Sequence, residues 1–198
     1  MKRLSSVLAG LAIALSCSSS DSRLEPEITQ ESRTVVRYEG AELEALISFR
    51  WADGHLGDEW MVLVVSFSGG RTATTRIERE SIRLRGPDGT AYPLPSQEAF
   101  QAAYREIHPL LRAADVSSPP AGEFGGIREP CGRWFLAGPW ESFAYDEVDV
   151  TPLRVCSGLL VFLVPGGVQP GPWTLEIDLP ESKVRVPFVL GQETGNRG

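Results

Sequence analysis

The sequence between Val35 and Leu190 is a succession of short apolar segments, each closed by a turn that contains glycine or proline. Segments of this length are typical of β-strands, and the 20 glycines and 15 prolines leave few stretches free for a long helix. The pattern therefore predicts a mainly β domain over residues 34–191 and disfavours an all-helical bundle.

Several segments carry the signals of individual strands. Leu43–Trp51 alternates with period two, Trp60–Phe67 is apolar on both faces and is predicted to be central, and Val155–Val164 is predicted to be buried. Two hairpins are also predicted, one around the Pro-Asp-Gly turn at 86–89 and one around residues 180–183.

Within residues 34–191, one segment has the periodicity of a helix. Ser96 is a suitable N-cap, and apolar residues that follow it share one helical face: Phe100, Tyr104, Ile107 and Leu111. A helix is predicted over residues 97–107, which Pro109 should end or restart. From about 115 to 145, proline, glycine and serine interrupt every periodic run, so we expect a long irregular insertion.

Residues 1–16 have the parts of a secretory signal peptide. Lys2 and Arg3 precede an uncharged run from Leu4 to Leu15, and small residues follow. The run is shorter than the ~20 residues that a helix needs to span a membrane. We therefore expect export of the protein and removal of this segment.

The run Ala14-Leu15-Ser16-Cys17 resembles the lipobox of bacterial lipoproteins, with Ala14 at the position where that family prefers leucine. The resemblance implies that Cys17 is diacylated and anchors the chain to a membrane, with residues 17–33 as a flexible polar tether. Ser18 after the cysteine implies the outer membrane, facing the periplasm or the exterior. A soluble exported protein is the alternative.

Cys131 and Cys156 are left as a pair if Cys17 carries lipid. In an oxidising compartment we expect them to form a disulfide, which closes a loop of about 26 residues and contributes roughly 3 to 3.5 kcal/mol. No Cys-x-x-Cys spacing occurs and the two histidines are distant in sequence, so a zinc site is not expected.

The net charge of the chain restricts its possible binding partners. The chain has 26 acidic and 19 basic side chains, a formal net charge of −7, and no cluster of lysine or arginine. Phosphate backbones and anionic lipids require such clusters, so we expect no nucleic acid partner and membrane contact only through acyl chains.

The sequence lacks the motifs of common enzymes. It has no Gly-x-Ser-x-Gly and no phosphate-binding glycine loop with its lysine, so no cofactor is expected. His55 is interpreted as a solvated loop residue and His108 as a surface residue at a helix end. A non-enzyme is favoured.

Two acidic loops remain as candidates for chemistry. Their carboxylates could hold calcium weakly or supply the acid pair of a glycosidase-like hydrolase, and solvated acidic turns are the other interpretation. The residues concerned are Asp53, Asp58 and Glu59 in one loop and Asp146, Glu147 and Asp149 in the other.

Aromatic residues crowd the irregular insertion. Either they close the core, or some stand exposed as a stacking platform for a carbohydrate or a protein partner, with Trp134, Trp140 and Tyr145 as the predicted binding surface. The whole group is Phe124, Trp134, Phe135, Trp140, Phe143 and Tyr145.

The order of elements resembles the immunoglobulin-like domains of unknown function in bacterial secreted lipoproteins. The residues that carry the resemblance are Trp60–Phe67, Ile82–Leu84 with Asp88–Tyr92, and Leu159–Pro165. It implies an immunoglobulin-like antiparallel β-sandwich with one inserted α-helix and no catalytic residues. We expect an envelope lipoprotein with a non-catalytic binding or structural domain and a disordered tail at 192–198. The alternative is a secreted carboxylate-dependent hydrolase.

Overall fold

The computed structural model describes residues 25–70, 74–116, 129–140 and 143–192. Over these residues the chain is mainly β and its sheets are antiparallel, consistent with a β-sandwich, which confirms the predicted class at that level. The predicted signal peptide, Cys17, Phe124 and tail residues 193–198 lie outside the described residues.

The larger sheet has six strands: β1 (Glu27–Ser32), β2 (Val35–Glu39), β3 (Leu43–Ser48), β4 (Trp60–Gly69), β8 (Glu129–Pro130) and β10 (Arg154–Leu163). Their order is β1-β2-β3-β4-β10-β8. β4 is central, as predicted, and pairs antiparallel with β10 from Val155 opposite Ser68 to Leu163 opposite Trp60. On its other side, β10 pairs with β8 only at Arg154 and Val155, and this short pair is parallel, whereas the other strand pairs described are antiparallel.

The smaller sheet has four strands: β6 (Ile82–Arg85), β7 (Ala91–Pro93), β11 (Gly171–Asp178) and β12 (Lys183–Leu190), in the order β12-β11-β6-β7. The β6–β7 and β11–β12 pairs are the two predicted hairpins, which are confirmed. A separate ribbon joins β5 (Thr75–Glu78) to β9 (Glu147–Val150).

The core lies between these sheets and is shared by them. Alternate residues of β12 are buried, whereas every residue of β4 after Trp60 is buried, as expected for an edge strand and a central strand. The ring of Phe49, which follows β3, stacks on that of Phe188 from β12 with centroids 4.9 Å apart. Apolar burial between the sheets is thus the main stabilising term.

Ion pairs connect neighbouring strands on the exposed face of the smaller sheet. Arg85 donates from Nε and Nη2 to the two carboxylate oxygens of Glu176, each at 2.9 Å. This hydrogen bonding lowers the pKa of Glu176 and raises that of Arg85. In the β6–β7 turn, Asp88 accepts hydrogen bonds from the Thr90 hydroxyl and amide, which lower the pKa of Asp88. The predicted turn is therefore closed by its own side chains.

The predicted helix is α2 (Gln97–Val116), which is longer than the expected 97–107. Ser96 acts as the N-cap, since its Oγ accepts the Ala99 amide at 3.1 Å. Pro109 neither ends nor restarts the helix, although it removes one backbone donor. Ile107 before it and Ala114 after it are both fully buried, so burial of one continuous apolar face outweighs the lost hydrogen bond.

The strand predicted to reach Trp51 ends at Ser48 instead. The chain turns there into the short helix α1 (Arg50–Gly54), with the Asp53 amide bonded to the carbonyl of Phe49 at 2.9 Å. The Asp53 carboxylate holds this turn from outside, since it pairs with Arg33 and accepts the Gly191 amide. Contacts with residues distant in sequence therefore stabilise a helical turn where the period-two pattern predicts a strand.

The predicted tether is also shorter than expected, because residues 27–32 form β1. All six side chains are exposed, so apolar burial does not hold this strand. Antiparallel backbone pairing with β2 and an ion pair between Glu31 and Arg37 stabilise it at the sheet edge. Among the described residues, no helix is both long enough and apolar enough to cross a membrane.

Candidate functional site

A groove with a volume of about 600 Å³ lies between α2 and the segment 131–138, with Phe143, Tyr145 and residues of β10 completing its lining. We call it the α2–β10 groove. The helix contributes one face to it, consisting of Phe100, Tyr104, His108, Leu111, Arg112 and Asp115. Residues three, four, seven and eight apart share a helical face, which explains how one helix lines the groove along its length.

The helix face is ordered by contacts between its own rings. Tyr104 meets Phe100 edge-on at 5.7 Å between centroids and lies 5.2 Å from the imidazole of His108. Phe100 is buried and joins the core, whereas Tyr104 is partly buried. The same helix face thus contributes both to the core and to the lining of the groove.

Trp134 is the best-anchored aromatic of the opposite wall. Its Nε1 donates to the carbonyl of Leu159 at 2.8 Å, and its indole stacks on Phe67 with centroids 6.0 Å apart. The ring lies directly over Gly158 of β10, where a Cβ would come closer than 3.0 Å to three indole atoms. Glycine at this point of the strand is therefore what allows the indole to lie against the sheet.

Two further contacts tie the segment to the rest of the fold. Gln97, the first residue of α2, donates from Nε2 to the Ala137 carbonyl at 2.6 Å and accepts the Ala137 amide at 3.1 Å. At the other end, Cys131 and Cys156 form the predicted disulfide, with sulfur atoms 1.98 Å apart. The Cys131 amide also donates to the Val155 carbonyl. Both ends of this wall are thereby fixed.

Tyr145 and Arg133 form a pair on the same wall. The guanidinium carbon of Arg133 lies 5.1 Å from the centroid of the Tyr145 ring, within the range of a cation–π contact. The Tyr145 amide donates to the Trp134 carbonyl at 2.8 Å, which places the two aromatic residues side by side. The structure thus brings Trp134 and Tyr145, two residues of the predicted binding surface, into one groove.

Trp140, the third predicted residue, is 93% exposed and is not part of the lining. Phe143 is 76% exposed and does line the groove, while Phe135 is fully buried. The aromatic group is therefore divided between buried and exposed members. Phe135 closes the core, and Trp140 with Phe143 presents bare ring surface to solvent.

The charges of the groove are mostly basic. Arg112 and Arg133 face a single acidic residue of the lining, Asp115. Of the ion pairs between described residues, none involves any of these three side chains. Arg133 instead lies over the Tyr145 ring, and the Arg112 side chain is exposed on the helix.

The acidic loops predicted as calcium or catalytic candidates lie outside the groove. Arginines neutralise several of their carboxylates: Arg76 pairs with Glu147 and Asp149 at 3.3 and 3.1 Å, Arg79 with Asp146, and Arg33 with Asp53. Asp58 and Glu59 belong to no metal-binding set, since the described residues hold no group of three potential ligands. Glu147 and Asp149 lie in strand β9 and Asp53 in helix α1 rather than in loops, and these carboxylates are held in structural ion pairs.

The two histidines lie in different surroundings. His55, expected to be solvated, is instead half-buried, with its ring stacked on Trp51 at 3.6 Å and its Nδ1 2.8 Å from the Trp51 carbonyl. His108 lines the groove beside Tyr104, and the Ser157 hydroxyl there is engaged with Ser66 at 2.7 Å. Of the two histidines, the structure therefore places His108 in the groove.

Sequence reasoning missed the helix side of this site. Tyr104 and Leu111 were assigned to an apolar core face, and the predicted end at 107 left Arg112 and Asp115 out of the helix. The sequence did contain a signal. Tyr104 and His108 carry polar groups on a helix face whose other members are apolar, which is typical of a face at the edge of the core. A comparison of the chain with known family models, curated proteins and solved structures found no match.

Proposed function

We propose that this chain is a membrane-anchored envelope lipoprotein whose immunoglobulin-like domain, with α2 as an inserted helix, binds a ligand non-catalytically in the α2–β10 groove. The single observation that carries the binding function is the composition of the groove. It combines aromatic faces with two guanidinium groups that have no acidic partner among the described side chains. Such a lining suits recognition of a ligand that has both ring surface and polar groups.

The groove walls support binding without large rearrangement. Trp134 is held by a hydrogen bond to β10 and Ala137 by one to α2, and the Tyr145 amide donates to the Trp134 carbonyl within the wall. A preorganised wall reduces the entropy lost when a ligand is bound. The alternative hydrolase draws less support, because its six candidate carboxylates lie outside the groove and four of them are paired with arginines.

Attachment through Cys17 is the second half of the proposal. β1 begins at Glu27, so residues 18–26 separate the acylated cysteine from the first strand. Nine residues span at most about 30 Å when fully extended. The proposed anchor would therefore keep the domain next to the membrane surface.

Metabolic labelling tests the anchor. Cells that express the full chain should incorporate labelled palmitate into it, and Cys17→Ala should abolish the label because no other residue is proposed to carry lipid. Ser22→Ala, which leaves both the lipobox and the disulfide intact, should retain the label and serves as the matched control. Labelling of the Cys17→Ala chain, or an unlabelled parent chain in the membrane fraction, would contradict the anchor.

Binding is tested with the purified full chain on an array of immobilised saccharides and peptides. We expect retention on a subset of probes, and Phe143→Ser should weaken it about tenfold because a solvent-facing ring that contacts ligand is removed. Leu153→Ser is the control, since Leu153 is 73% exposed and lies outside the groove. Absence of any retention, or equal retention by both variants, would contradict binding in the groove.

A further inference from the structure

We infer that the ligand of the α2–β10 groove is an acidic saccharide, whose sugar rings stack on the aromatic walls and whose carboxylate is bound by Arg112 and Arg133. This inference rests on the proposed binding function and names the ligand class for that site.

The anionic character of the ligand follows from charge. The chain has a formal net charge of −7, yet two arginines and one aspartate supply the full charges of the groove. Elsewhere, arginines such as Arg76 and Arg85 pair with carboxylates on neighbouring strands, whereas no described carboxylate pairs with Arg112 or Arg133. A guanidinium presents its donors in a fork that matches a carboxylate, so these groups select an acidic ligand.

The ring character follows from shape. Tyr104, Trp134 and Tyr145 line the groove, each with one side of its ring against the protein, and Phe143, which is largely exposed, also lines it. Flat rings of this kind stack on the C–H faces of sugar rings and lose little side-chain entropy in doing so. The volume of about 600 Å³ is that of a small-molecule site, so a short saccharide fits and a folded partner does not.

The backbone of the groove argues against an extended peptide. A peptide would bind by pairing with the open edge of β10, which has no strand partner beyond Val155 within the described ranges. The Cys131 amide and the Trp134 indole already occupy the carbonyls of Val155 and Leu159 on that edge. Hydroxyl groups can instead bond to the side chains of His108 and Asp115 above it.

Calorimetry on the purified full chain tests the inference with three probes: a galacturonic acid trimer, the neutral galactose trimer of the same linkage, and a glutamate-rich peptide of equal charge. We expect the acidic trimer to bind at least about tenfold more tightly than the neutral trimer, which is the usual effect of one charge-assisted interaction. Its affinity should also fall as the salt concentration rises.

Arg112→Gln and Arg133→Gln should each weaken the acidic trimer about tenfold and leave the neutral trimer unchanged. Arg105→Gln is the matched control, because Arg105 is exposed on the same helix and lies outside the lining. Melting temperatures equal to that of the parent chain would establish that both variants fold.

Equal affinity for the two trimers, or insensitivity to both arginine substitutions and to salt, would overturn the saccharide assignment. Tighter binding of the peptide would overturn it as well, while leaving ligand binding in the groove intact. Failure of all three probes, together with an array that retains nothing, would remove the proposed function itself.

Discussion

Removal of the Cys131–Cys156 disulfide is expected to lower the free energy of unfolding by about 3.5 kcal/mol, the chain-entropy value for a loop of this size. The two cysteines are 25 residues apart, and Cys156 lies fully buried in β10 beside the central strand. The bond thus connects the sheet to a wall of the groove that contains little regular structure. The unfolded chain without the bond gains the conformations that the loop had excluded.

Thermal unfolding of a Cys131→Ala/Cys156→Ala double variant measures this effect. A loss of that size corresponds to a melting temperature about 10 °C lower for a domain of this length. Reductant should lower the melting temperature of the parent chain to a similar degree and should not affect the double variant, which is the control. A double variant that melts within 2 °C of the parent, roughly the change expected from a surface substitution, would contradict the prediction.

Local signals predicted much of the strand content of the fold. The apolar run that became β4, the Pro-Asp-Gly turn between β6 and β7, and the alternation in β12 each depend on neighbours within a few residues. The disulfide was predictable because a chain with three cysteines offers few choices of partner. Residues close together in sequence, or the number of cysteines, are sufficient to determine such features.

Long-range pairing was not predictable in this way. Nothing in the residues of β11 indicates that it pairs with β6, which is about ninety residues earlier in the chain. β1 is held by backbone pairing at a sheet edge, so its polar side chains resemble those of a tether. α2 continues through Pro109 because tertiary burial exceeds the cost of one missing hydrogen bond.

The groove was predicted only in part for the same reason. Trp134 and Tyr145 were identified because aromatic residues cluster in their own segment. Tyr104 and Arg112 come from a helix that is distant in sequence, and Gly158 from a strand where glycine has no local role. The site exists only where these three parts of the chain meet, so single-segment patterns cannot define it.

Gly158→Ala is the most direct test of how the groove is built, and we expect it to destabilise the domain by about 1 to 3 kcal/mol. The added methyl group would come closer than 3.0 Å to three atoms of the Trp134 indole. The indole cannot move away without losing its hydrogen bond to Leu159 and its stacking on Phe67. One carbon atom therefore displaces the ring that anchors a groove wall, and ligand affinity should fall with it.

Chemical denaturation of the variants separates this clash from a general effect of glycine replacement. Gly132→Ala, where an added Cβ meets no atom within 4 Å, should remain within about 0.5 kcal/mol of the parent chain. Trp134→Ala removes the ring that the Gly158→Ala methyl would meet, so the double variant should be more stable than the sum of the single effects predicts, by about 1 kcal/mol. Additive effects would mean that the two residues do not meet. A Gly158→Ala chain as stable as Gly132→Ala would show that the indole does not rest on the β10 backbone.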